Sequence, residues 1–389
     1  MPLNVLHVSS GNLYGGVETF LATLSRERSS YPEMEPHFAL CFEGRLSSEL
    51  HDLGTPAKIL GPVRTHFPWT MWRARRKLRR VIDELRPDVG VCHMPWNLAV
   101  FGPVLAERGV PVVFWMHDQA SGRHWIERWA GWTRPNLVIC NSCFTTKSLP
   151  SLFPRNAPPR EVIYCAVSSP RNGLDGTNDR LTTRRELATS PTAVVIIQVS
   201  RMEPYKGHSL HIEALARLRS IPNWVCWMVG GVQRACEKNY LSQLQAQAAT
   251  GGIDDRIRFL GERRDVQTLL HAADIFCQPN LSGEPFGIVL IEALYNRLPV
   301  VSTALGGALE IVDESCGRLV CPRAEALAEV LSQLILDTSL RTALGAEGPK
   351  RASALSSPSC NLPQLADSLE KCVSRSERTG RYQPATEHI

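Results

Sequence analysis

The stretch Leu298–Glu310 reads Leu-Pro-Val-Val-Ser-Thr-Ala-Leu-Gly-Gly-Ala-Leu-Glu, a short apolar run followed by two glycines and the start of a helical segment. A short apolar run bounded in this way is typical of a buried strand. The same order occurs near the start of the chain, where the apolar run Val5–Val8 precedes Gly15, Gly16 and a helical pattern from Thr19. We therefore predict strand–glycine–helix units in both halves of the chain.

Short apolar runs alternate with amphipathic segments along the whole sequence, which indicates βαβ units and parallel sheets. In the first half, strands are predicted at Val5–Val8, His37–Cys41, Asp88–Cys92, Val110–Trp115, Leu137–Cys140 and Glu161–Tyr164. In the second half, they are predicted at Ala193–Val199, Trp224–Val229, Ile257–Leu260, Ile275–Gln278, Val300–Ser302 and Gly317–Val320. We expect an α/β protein with two Rossmann-like, doubly wound parallel-sheet domains that face each other across a cleft. Ligands of such sheets bind beyond the carboxyl ends of the strands.

The domain boundaries follow from a change in composition. Residues 168–191 are rich in Ser, Asn, Gly, Asp, Thr and Pro and lack apolar periodicity, which indicates a linker or a long loop. We therefore predict an N-terminal Rossmann-like domain over residues 1–170, a linker over 171–191 and a C-terminal Rossmann-like domain over 192–355. Residues 356–389 are predicted to be a C-terminal helix, centred on Pro363–Arg375, and a frayed tail.

The overall composition excludes several classes of protein. The chain has 389 residues, of which 43% are hydrophobic and 21% charged, as expected for globular domains. Its formal net charge of +5 is too weak to imply a nucleic-acid partner. The twelve cysteines form no framework, and Cys140 and Cys143 are interpreted as reduced thiols rather than a redox pair. No apolar stretch approaches the ~18–20 residues that span a bilayer, and the first residues do not resemble a signal peptide, so we expect the cytoplasm.

A second informative stretch, Ser282–Leu294, contains two glutamates. Because proline suits the first position of a helix, we place Glu284 in a loop, the helix start at Pro285 and Glu292 two turns into the helix. Both carboxylates are suited to binding hydroxyl groups along one cleft. Acidic residues near a helix start are more often caps, so the pair alone is weak evidence.

Backbone amides and glycines add candidate phosphate sites. The N–H groups of Phe286, Gly287 and Ile288 would form a helix N-terminus, which attracts anions. Gly306 and Gly307 would let a second backbone segment approach the same ligand. Together with the two carboxylates, these groups indicate a sugar nucleotide. The first pair, Gly15 and Gly16, is a turn about as often as a binding loop, and its spacing is not that of a dinucleotide fingerprint.

Charged side chains are predicted at the ends of two further strands. Arg201 and Lys206 follow the strand Ala193–Val199, and together they suit a diphosphate. His117, with Asp118 beside it, follows another strand and is a candidate for lining the site. Taken singly, these features are better explained by a solvated basic loop and a structural histidine. No two aspartates lie two positions apart, so we predict no metal site and no required cofactor.

In this order, the motifs resemble those of the retaining glycosyltransferases of family four, whose two-domain architecture is called GT-B. The resemblance covers roughly residues 3–350 and runs through Gly15-Gly16, His117-Asp118, Arg201…Lys206-Gly207, Phe259-Leu-Gly261, Glu284…Glu292 and Gly306-Gly307…Glu310. It implies that Arg201 and Lys206 bind the donor diphosphate, that Glu292 binds the nucleoside ribose, and that Glu284 and the backbone after it hold the donor sugar and phosphate.

The resemblance also implies a mechanism. Gly16 would approach the phosphate from the other domain, and His117 would contact the sugar near the reaction centre. The sugar would pass from a UDP-, GDP- or ADP-sugar to an acceptor hydroxyl by front-face attack, assisted by a donor phosphate oxygen. The acceptor would be a saccharide or a lipid-linked molecule in cell-surface glycan or glycolipid assembly. Departures from the family pattern at Cys165–Ser168 and at Arg297 put a hinge and a local turn in doubt.

Two aromatic segments bear on the acceptor side. Trp72–Leu85 forms a basic amphipathic helix, a type that binds anionic membrane surfaces, so peripheral contact with the inner face of a membrane is one interpretation. A solvated outer helix face is the competing interpretation and is slightly favoured. Trp125, Trp129 and Trp132 recur at helical spacing and suit either core packing or contact with sugar or lipid.

Two other functions remain open at this stage. A sugar-nucleotide epimerase of the same double-Rossmann plan would release an altered sugar without an acceptor. A non-catalytic partner subunit that binds a sugar nucleotide is the second alternative, which the combined presence of His117, Glu284, Arg201, Lys206 and Glu292 disfavours.

Overall fold

A computed structural model of the protein describes residues 2–64, 66–155, 157–170, 176–232 and 235–378, with side chains throughout except at 176–179 and 235–236. Within these residues the chain forms two compact units. The first comprises residues up to 168 together with those from 358 onward, and the second comprises residues 169–357. The segment 379–389, predicted to be a frayed tail, and residues 171–175 of the predicted linker lie outside the described residues.

The first unit contains a parallel sheet and the helices that cover it. The strands are β1 (Leu3–Ser9), β2 (Met34–Leu40), β3 (Lys58–Ile59), β4 (Val89–His93), β5 (Val112–Met116), β6 (Leu137–Cys140) and β7 (Arg160–Val162). The helices are α1 (Gly16–Glu27), α2 (Arg45–Asp52), α3 (Pro68–Leu85), α4 (Met94–Glu107), α5 (Trp125–Ala130), α6 (Cys143–Thr146), α7 (Leu149–Leu152) and α16 (Pro358–Arg378). A 3-10 turn covers Arg28–Ser30.

The second unit repeats this plan. The strands are β8 (Val194–Val199), β9 (Trp224–Val229), β10 (Ile257–Gly261), β11 (Ile275–Gln278), β12 (Val300–Thr303) and β13 (Gly317–Val320). The α-helices are α8 (Gly176–Glu186), α9 (His208–Arg217), α10 (Ala235–Thr250), α11 (Val266–Ala272), α12 (Ile288–Tyr295), α13 (Ala308–Ile311), α14 (Ala324–Leu336) and α15 (Thr338–Ser356). Pro204–Lys206 and Asp254–Arg256 are 3-10 turns.

The strand order is the same in both sheets apart from one added strand. The first sheet runs β3-β2-β1-β4-β5-β6-β7, and the second runs β10-β9-β8-β11-β12-β13, all parallel. Numbered from its own first strand, each sheet therefore begins with the Rossmann order 3-2-1-4-5-6. The order reverses between β1 and β4 in the first unit and between β8 and β11 in the second. Ligands of open α/β sheets bind at such points.

The core explains why the strands read as continuous apolar runs. Every residue of β5 is buried, and so is every residue of β4, β6, β11 and β12. Helices cover both faces of a doubly wound parallel sheet, so alternation of apolar and polar residues is not required. Burial of each large apolar side chain in these strands contributes ~1.5–3 kcal/mol.

The predicted α/β fold with two Rossmann-like parallel sheets is confirmed, and all twelve predicted strands are present within a few residues of their predicted bounds. The sequence interpretation missed β3, a two-residue strand at the sheet edge. Its apolar content is too small to produce a recognisable run.

The predicted loop over residues 168–191 is wrong for Gly176–Glu186, which form helix α8. This helix has little apolar periodicity because it is attached by ion pairs instead. Arg180 and Arg184 both bind the Asp274 carboxylate, through Oδ1 at 2.5 Å and Oδ2 at 2.6 Å. The segment therefore belongs to the fold of the second unit.

The C-terminal helix returns to the first unit. Helix α16 starts at Pro358, five residues before the predicted Pro363, and Asn361 Nδ2 donates to the Tyr164 carbonyl at 2.8 Å. Further along the helix, the Ser368 hydroxyl donates to Glu161. The first unit is therefore built from two separate stretches of the chain.

Candidate active site

The switch point of the second sheet brings the predicted donor-binding loops to one edge. β8, β11 and β12 are neighbours and run parallel, so the loops after them start from the same edge. These loops carry Arg201 and Lys206 after β8, Glu284 after β11, and Gly306 and Gly307 after β12.

The Lys206–Glu284 ion pair is the centre of this cluster. Lys206 Nζ lies 2.7 Å from Glu284 Oε2, and each side chain is only 12% exposed. Two amides donate to the same oxygen: Asn280 Nδ2 at 2.6 Å and Gln278 Nε2 at 3.3 Å. Three donors therefore orient one carboxylate oxygen, and Glu284 Oε1 accepts no hydrogen bond from the part of the chain that the structure describes.

Arg201 is positioned by its own loop. Its guanidinium lies 3.0 Å from Glu203 Oε2 and donates to the Tyr205 hydroxyl at 3.3 Å, and that hydroxyl in turn donates to Glu203 at 2.7 Å. Burial, reinforced by the bond to Glu203, raises the pKa of Tyr205, so the phenol stays protonated. Lys206 Nζ lies 5.1 Å from the centroid of the Tyr205 ring. Tyr205 therefore connects the two cations.

A buried hydrogen-bond network fixes the backbone of the loop that carries Lys206. Gln198 Nε2 donates to the Lys206 carbonyl at 2.9 Å, and Gln198 Oε1 lies 2.8 Å from His211 Nδ1. His208 Nε2 lies 3.1 Å from the Ser200 hydroxyl. Burial lowers the pKa of His211 to about 3 and that of His208 to about 4, so both imidazoles are neutral at pH 7. The backbone that carries Lys206 is therefore fixed without adding charge.

Glycines allow these loops to pack closely. Gly207 has φ +75°, and a Cβ there would lie 1.8 Å from the Pro279 carbonyl oxygen. Gly306 has φ +67° and pairs with Glu284 in a parallel β-bridge, while the Gly307 N–H donates to the Glu284 carbonyl at 2.6 Å. Both glycines are buried. They support the Glu284 backbone, a packing role that the sequence interpretation did not foresee.

The helix after Glu284 begins later than predicted. α12 starts at Ile288, with Gly287 as its N-cap at φ 110°, so the prediction that Pro285 occupies the first helical position is wrong. The left-handed backbone of Gly287 delays the helix. Ile288 therefore heads the first turn, whereas Phe286 is a buried side chain outside the helix. Glu292 lies about one turn into the helix, not two.

Glu292 is oriented by two amide side chains. Gln267 Nε2 donates to Glu292 Oε1 at 3.0 Å, and Asn296 Nδ2 donates to Gln267 Oε1 at 2.9 Å. Asn296 Nδ2 also lies 2.9 Å from the Glu292 carbonyl.

In the first unit, Gly15 directly precedes α1, and Gly16 is the first residue of that helix. Gly15 is the N-cap of α1, and its N–H donates to Glu18 Oε2 at 3.0 Å. The backbone of Gly15 is extended, with φ −165°, so no left-handed conformation explains this glycine. A carboxylate thus already lies at this helix N-terminus.

His117 belongs to a chain of three buried imidazoles. His7 Nδ1 lies 3.0 Å from His93 Nε2, and His93 Nδ1 lies 2.8 Å from His117 Nε2. The three histidines come from β1, the end of β4 and the residue after β5, which are adjacent in the sheet. Burial lowers the pKa of His7 and of His117 to about 3 and that of His93 well below its usual value. All three are therefore neutral at pH 7.

Two family descriptions match most of the chain between them. Residues 14–170 match Glycosyltransferase Family 4, and residues 179–351 match Glycosyl transferases group 1. The chain belongs to the group 1 glycosyltransferases. This agrees with the resemblance seen in its motifs.

Curated relatives match part of the length of this chain. A lipopolysaccharide core biosynthesis glycosyltransferase, LpsE of Rhizobium meliloti, is 33% identical over 42% of this chain and 46% of its own. A phosphatidyl-myo-inositol mannosyltransferase of Mycobacterium leprae is 36% identical over 38% of this chain and 40% of its own. A GDP-mannose-dependent monoacylated alpha-(1-6)-phosphatidylinositol monomannoside mannosyltransferase of Corynebacterium glutamicum is 32% identical over 57% and 58%. The chain thus spans about half the length of these relatives.

Solved structures match the fold over nearly the whole chain. Anabaena Alr3699/HepE in complex with UDP and glucose has a TM-score of 0.82 at 23% identity, covering 95% of this chain and 99% of that one. WaaG, a glycosyltransferase involved in lipopolysaccharide biosynthesis, has a TM-score of 0.69 at 19% identity, covering 94% and 99%. These similarities establish the GT-B fold of this chain.

Three of the predicted site residues of this chain are linked by direct contacts. Lys206 and Glu284 form an ion pair, and Tyr205 contacts both Arg201 and Lys206. Glu292 accepts a hydrogen bond from Gln267. The residues that sequence reasoning missed are Tyr205, Gln267, Gln278, Asn280, His7 and His93. A signal was present for some of them, because Gln278, Asn280 and His93 are polar residues at or just after the ends of apolar strands.

The described part of the chain lacks two features that bear on function. No group of three or more His, Cys, Asp or Glu residues there is arranged to hold a metal ion. No helix there is both long enough and apolar enough to cross a membrane.

Proposed function

We propose that this protein is a retaining glycosyltransferase that moves a sugar from a nucleotide-sugar donor to an acceptor hydroxyl. The observation that carries the proposal is the half-buried Lys206–Glu284 pair at the switch point of the second sheet. An ammonium suits a phosphate, and a carboxylate suits sugar hydroxyls. We assign the donor to the C-terminal domain, residues 192–355, and the acceptor to the N-terminal domain, residues 1–170.

The charge balance constrains how a diphosphate binds. Each cation of the Arg201–Lys206 segment is paired with a carboxylate, so their formal charges cancel. Attraction therefore depends on oriented donors rather than on net charge. The Lys206 ammonium has three N–H groups, of which Glu284 takes one, so two remain for phosphate oxygens. As the nucleoside diphosphate leaves, the charge that develops on it is stabilised by this fixed ammonium.

The Glu284 carboxylate is left with one oxygen for the sugar. Three protein donors occupy Oε2, so Oε1 accepts from a donor-sugar hydroxyl. Phe286, Gly287 and Ile288 follow directly, and Ile288 is the one residue of the three inside the helix. We assign their backbone to the donor sugar and phosphate, with the Ile288 N–H as the helix-terminal contact.

Glu292 is assigned to the ribose of the nucleoside, since vicinal hydroxyls donate well to a carboxylate. The Glu292→Gln variant keeps the shape of the side chain and removes its charge. Loss of a charge-assisted hydrogen bond of ~1.5–3 kcal/mol weakens donor binding about 10- to 100-fold. Calorimetric titration with the donor measures this change. The exposed Glu329→Gln, on α14, is the matched control and leaves the affinity unchanged.

One experiment tests the proposal as a whole. UDP-, GDP- and ADP-sugars are screened for thermal stabilisation of the protein and then for slow hydrolysis. UDP- and GDP-sugars come first, because one similar structure holds UDP and glucose and one relative is GDP-mannose-dependent by name. A donor that binds and releases its nucleoside diphosphate supports the proposal. Binding of none contradicts it, and a donor altered only at its own stereocentre indicates the epimerase.

For the acceptor, we propose a saccharide or lipid-linked saccharide of cell-surface glycan or glycolipid assembly. The support is that similar proteins are named for lipopolysaccharide core and phosphatidylinositol mannoside synthesis. Such acceptors lie at membranes, so we also propose peripheral contact with an anionic membrane face through α3.

The exposed face of α3 suits this contact. Trp69 and Trp72 are each 58% exposed, and Arg73, Arg76 and Arg80 continue the same stripe. Other basic residues of the helix serve the fold, since Arg75 donates to the Val100 carbonyl at 2.8 Å and Arg79 pairs with Glu107 at 2.9 Å. The arginines on the stripe are thus distinct from those that attach the helix.

Replacing Arg73, Arg76 and Arg80 together by glutamine is expected to weaken binding to anionic vesicles about 100-fold, at about 1 kcal/mol per basic residue near such a surface. Co-sedimentation with vesicles of phosphatidylglycerol and phosphatidylcholine measures this. The control removes the same charge from exposed sites elsewhere, at Arg155, Arg185 and Arg219. Equal loss in both triple variants would show that net charge, not α3, binds the membrane.

A further inference from the structure

The histidine chain in the first unit obeys a strict rule of proton placement. A neutral imidazole carries one N–H and one lone pair. The two ring-to-ring contacts of 3.0 and 2.8 Å each need one donor and one acceptor. Protons on Nδ1 of all three rings satisfy both contacts, and so do protons on Nε2 of all three. Any mixed set places two protons or two lone pairs face to face, so the three tautomers change only together.

The far end of the chain selects between these two sets. His7 Nε2 is buried and has no hydrogen-bond partner in the described structure. With protons on Nε2, His7 would bury an unpartnered N–H, and orphaned buried N–H groups are rare in proteins. With protons on Nδ1, the same position holds only an unpartnered lone pair. The all-Nδ1 set is therefore favoured, and it leaves His117 with an N–H at Nδ1, the ring nitrogen outside the chain.

The surroundings hold the three rings in place. Trp115 stacks on His93 and on His117, with ring centroids 5.8 and 5.6 Å apart and planes inclined by 19° and 10°. His7 stacks on Phe38 at 5.7 Å. Asn141 Nδ2 donates to the His117 carbonyl at 3.2 Å and fixes its backbone. Rotation of a single ring would break these contacts.

We propose that His7 and His93 are positioning residues that lock His117 in the Nδ1–H tautomer, so that His117 donates a hydrogen bond to an oxygen of the saccharide substrate. The hydrogen bond to a saccharide rests on the proposed function, whereas the tautomer of His117 does not. Because His117 Nε2 already accepts a hydrogen bond from His93 Nδ1–H, its lone pair is occupied, and His117 acts as a fixed donor and not as a general base.

The tautomer is tested first in the wild-type protein. Two-bond proton–nitrogen NMR correlations of ¹⁵N-histidine-labelled protein, assigned with single histidine variants, identify the protonated nitrogen of His117 at pH 7.5. Nδ1–H is the expected result. Nε2–H, or a protonated ring, overturns the inference even if sugar transfer is observed. Absence of sugar transfer with Nδ1–H present would instead count against the proposed function.

Variants then test the positioning role. His93→Phe keeps an aromatic ring against Trp115 and Phe20 and removes both ring-to-ring hydrogen bonds, whereas His7→Phe removes only the bond between His7 and His93. Each is expected to release His117 into a mixture of tautomers. His93→Phe is expected to lower kcat about 10- to 100-fold, the range seen when hydrogen-bond partners that orient metal-bound histidines are lost, with less effect on KM for the donor.

The matched control is His51→Gln, an exposed histidine on α2 whose ring lies beside Asp52. This variant keeps the wild-type tautomer and kcat. If His93→Phe fails to fold, His7→Phe provides the same NMR readout. An unchanged His117 tautomer in a folded His93→Phe or His7→Phe protein overturns the proposal.

Discussion

Replacement of Lys206 by alanine is expected to lower kcat for sugar transfer about 100- to 1,000-fold, the usual cost of losing one preorganised group that stabilises transition-state charge. Two effects combine. The departing diphosphate loses its ammonium, and Glu284 keeps a carboxylate that is only 12% exposed without its cationic partner. Steady-state kinetics with the donor identified by screening measure the change.

Controls separate this effect from general damage to the second unit. Lys238→Ala removes an exposed lysine of the same unit and leaves kcat unchanged. Because Lys206 and Glu284 are in contact, the double variant Lys206→Ala with Glu284→Gln is expected to lose much less than the product of the single losses. Near-normal turnover in Lys206→Ala would exclude this pair from the active site.

Replacement of Asp274 by alanine is expected to destabilise the protein by ~3–5 kcal/mol, because it leaves a buried charge without its partner. Asp274 accepts hydrogen bonds from Arg184 at 2.6 Å, from Arg180 at 2.5 Å and from the Val195 N–H at 2.7 Å. The Arg184 side chain is 2% exposed and also donates to the carbonyls of Ala272, Pro191 and Ala193. Burial lowers the pKa of Arg184, and the neighbouring Asp274 carboxylate raises it, so the charged form of Arg184 depends on Asp274.

Urea unfolding followed by circular dichroism measures this loss. The matched control is Asp367→Ala in α16, which removes one partner of an exposed ion pair with Lys371. Exposed pairs contribute about 0–1 kcal/mol, so this control is nearly silent. If Asp274→Ala and Asp367→Ala shift the unfolding midpoint equally, the ion pairs of α8 do not stabilise the second unit.

Much of the architecture was predictable from local pattern. The strands of a doubly wound sheet are short and buried on both faces, so β6, β9, β11 and β13 stand in the sequence as apolar runs with the bounds that the structure shows. The ordered motifs from Gly15 to Glu310 also led to the family that the comparisons found. Two predictions from local pattern were wrong. The left-handed backbone of Gly287 places the start of α12 at Ile288 and not at Pro285, and the polar segment Gly176–Glu186 forms a helix that ion pairs to Asp274 attach to the second unit.

The sequence by itself determined which segments are strands, which loops carry charge and which family the chain resembles. Only the tertiary structure decided that Lys206 pairs with Glu284, 78 residues away, and that His7, His93 and His117 form one chain. The physical reason is that apolar periodicity reports the burial of each segment but not which strand lies beside it. Strand order in the two sheets sets those neighbours, and with them the hydrogen bonds on which the site depends.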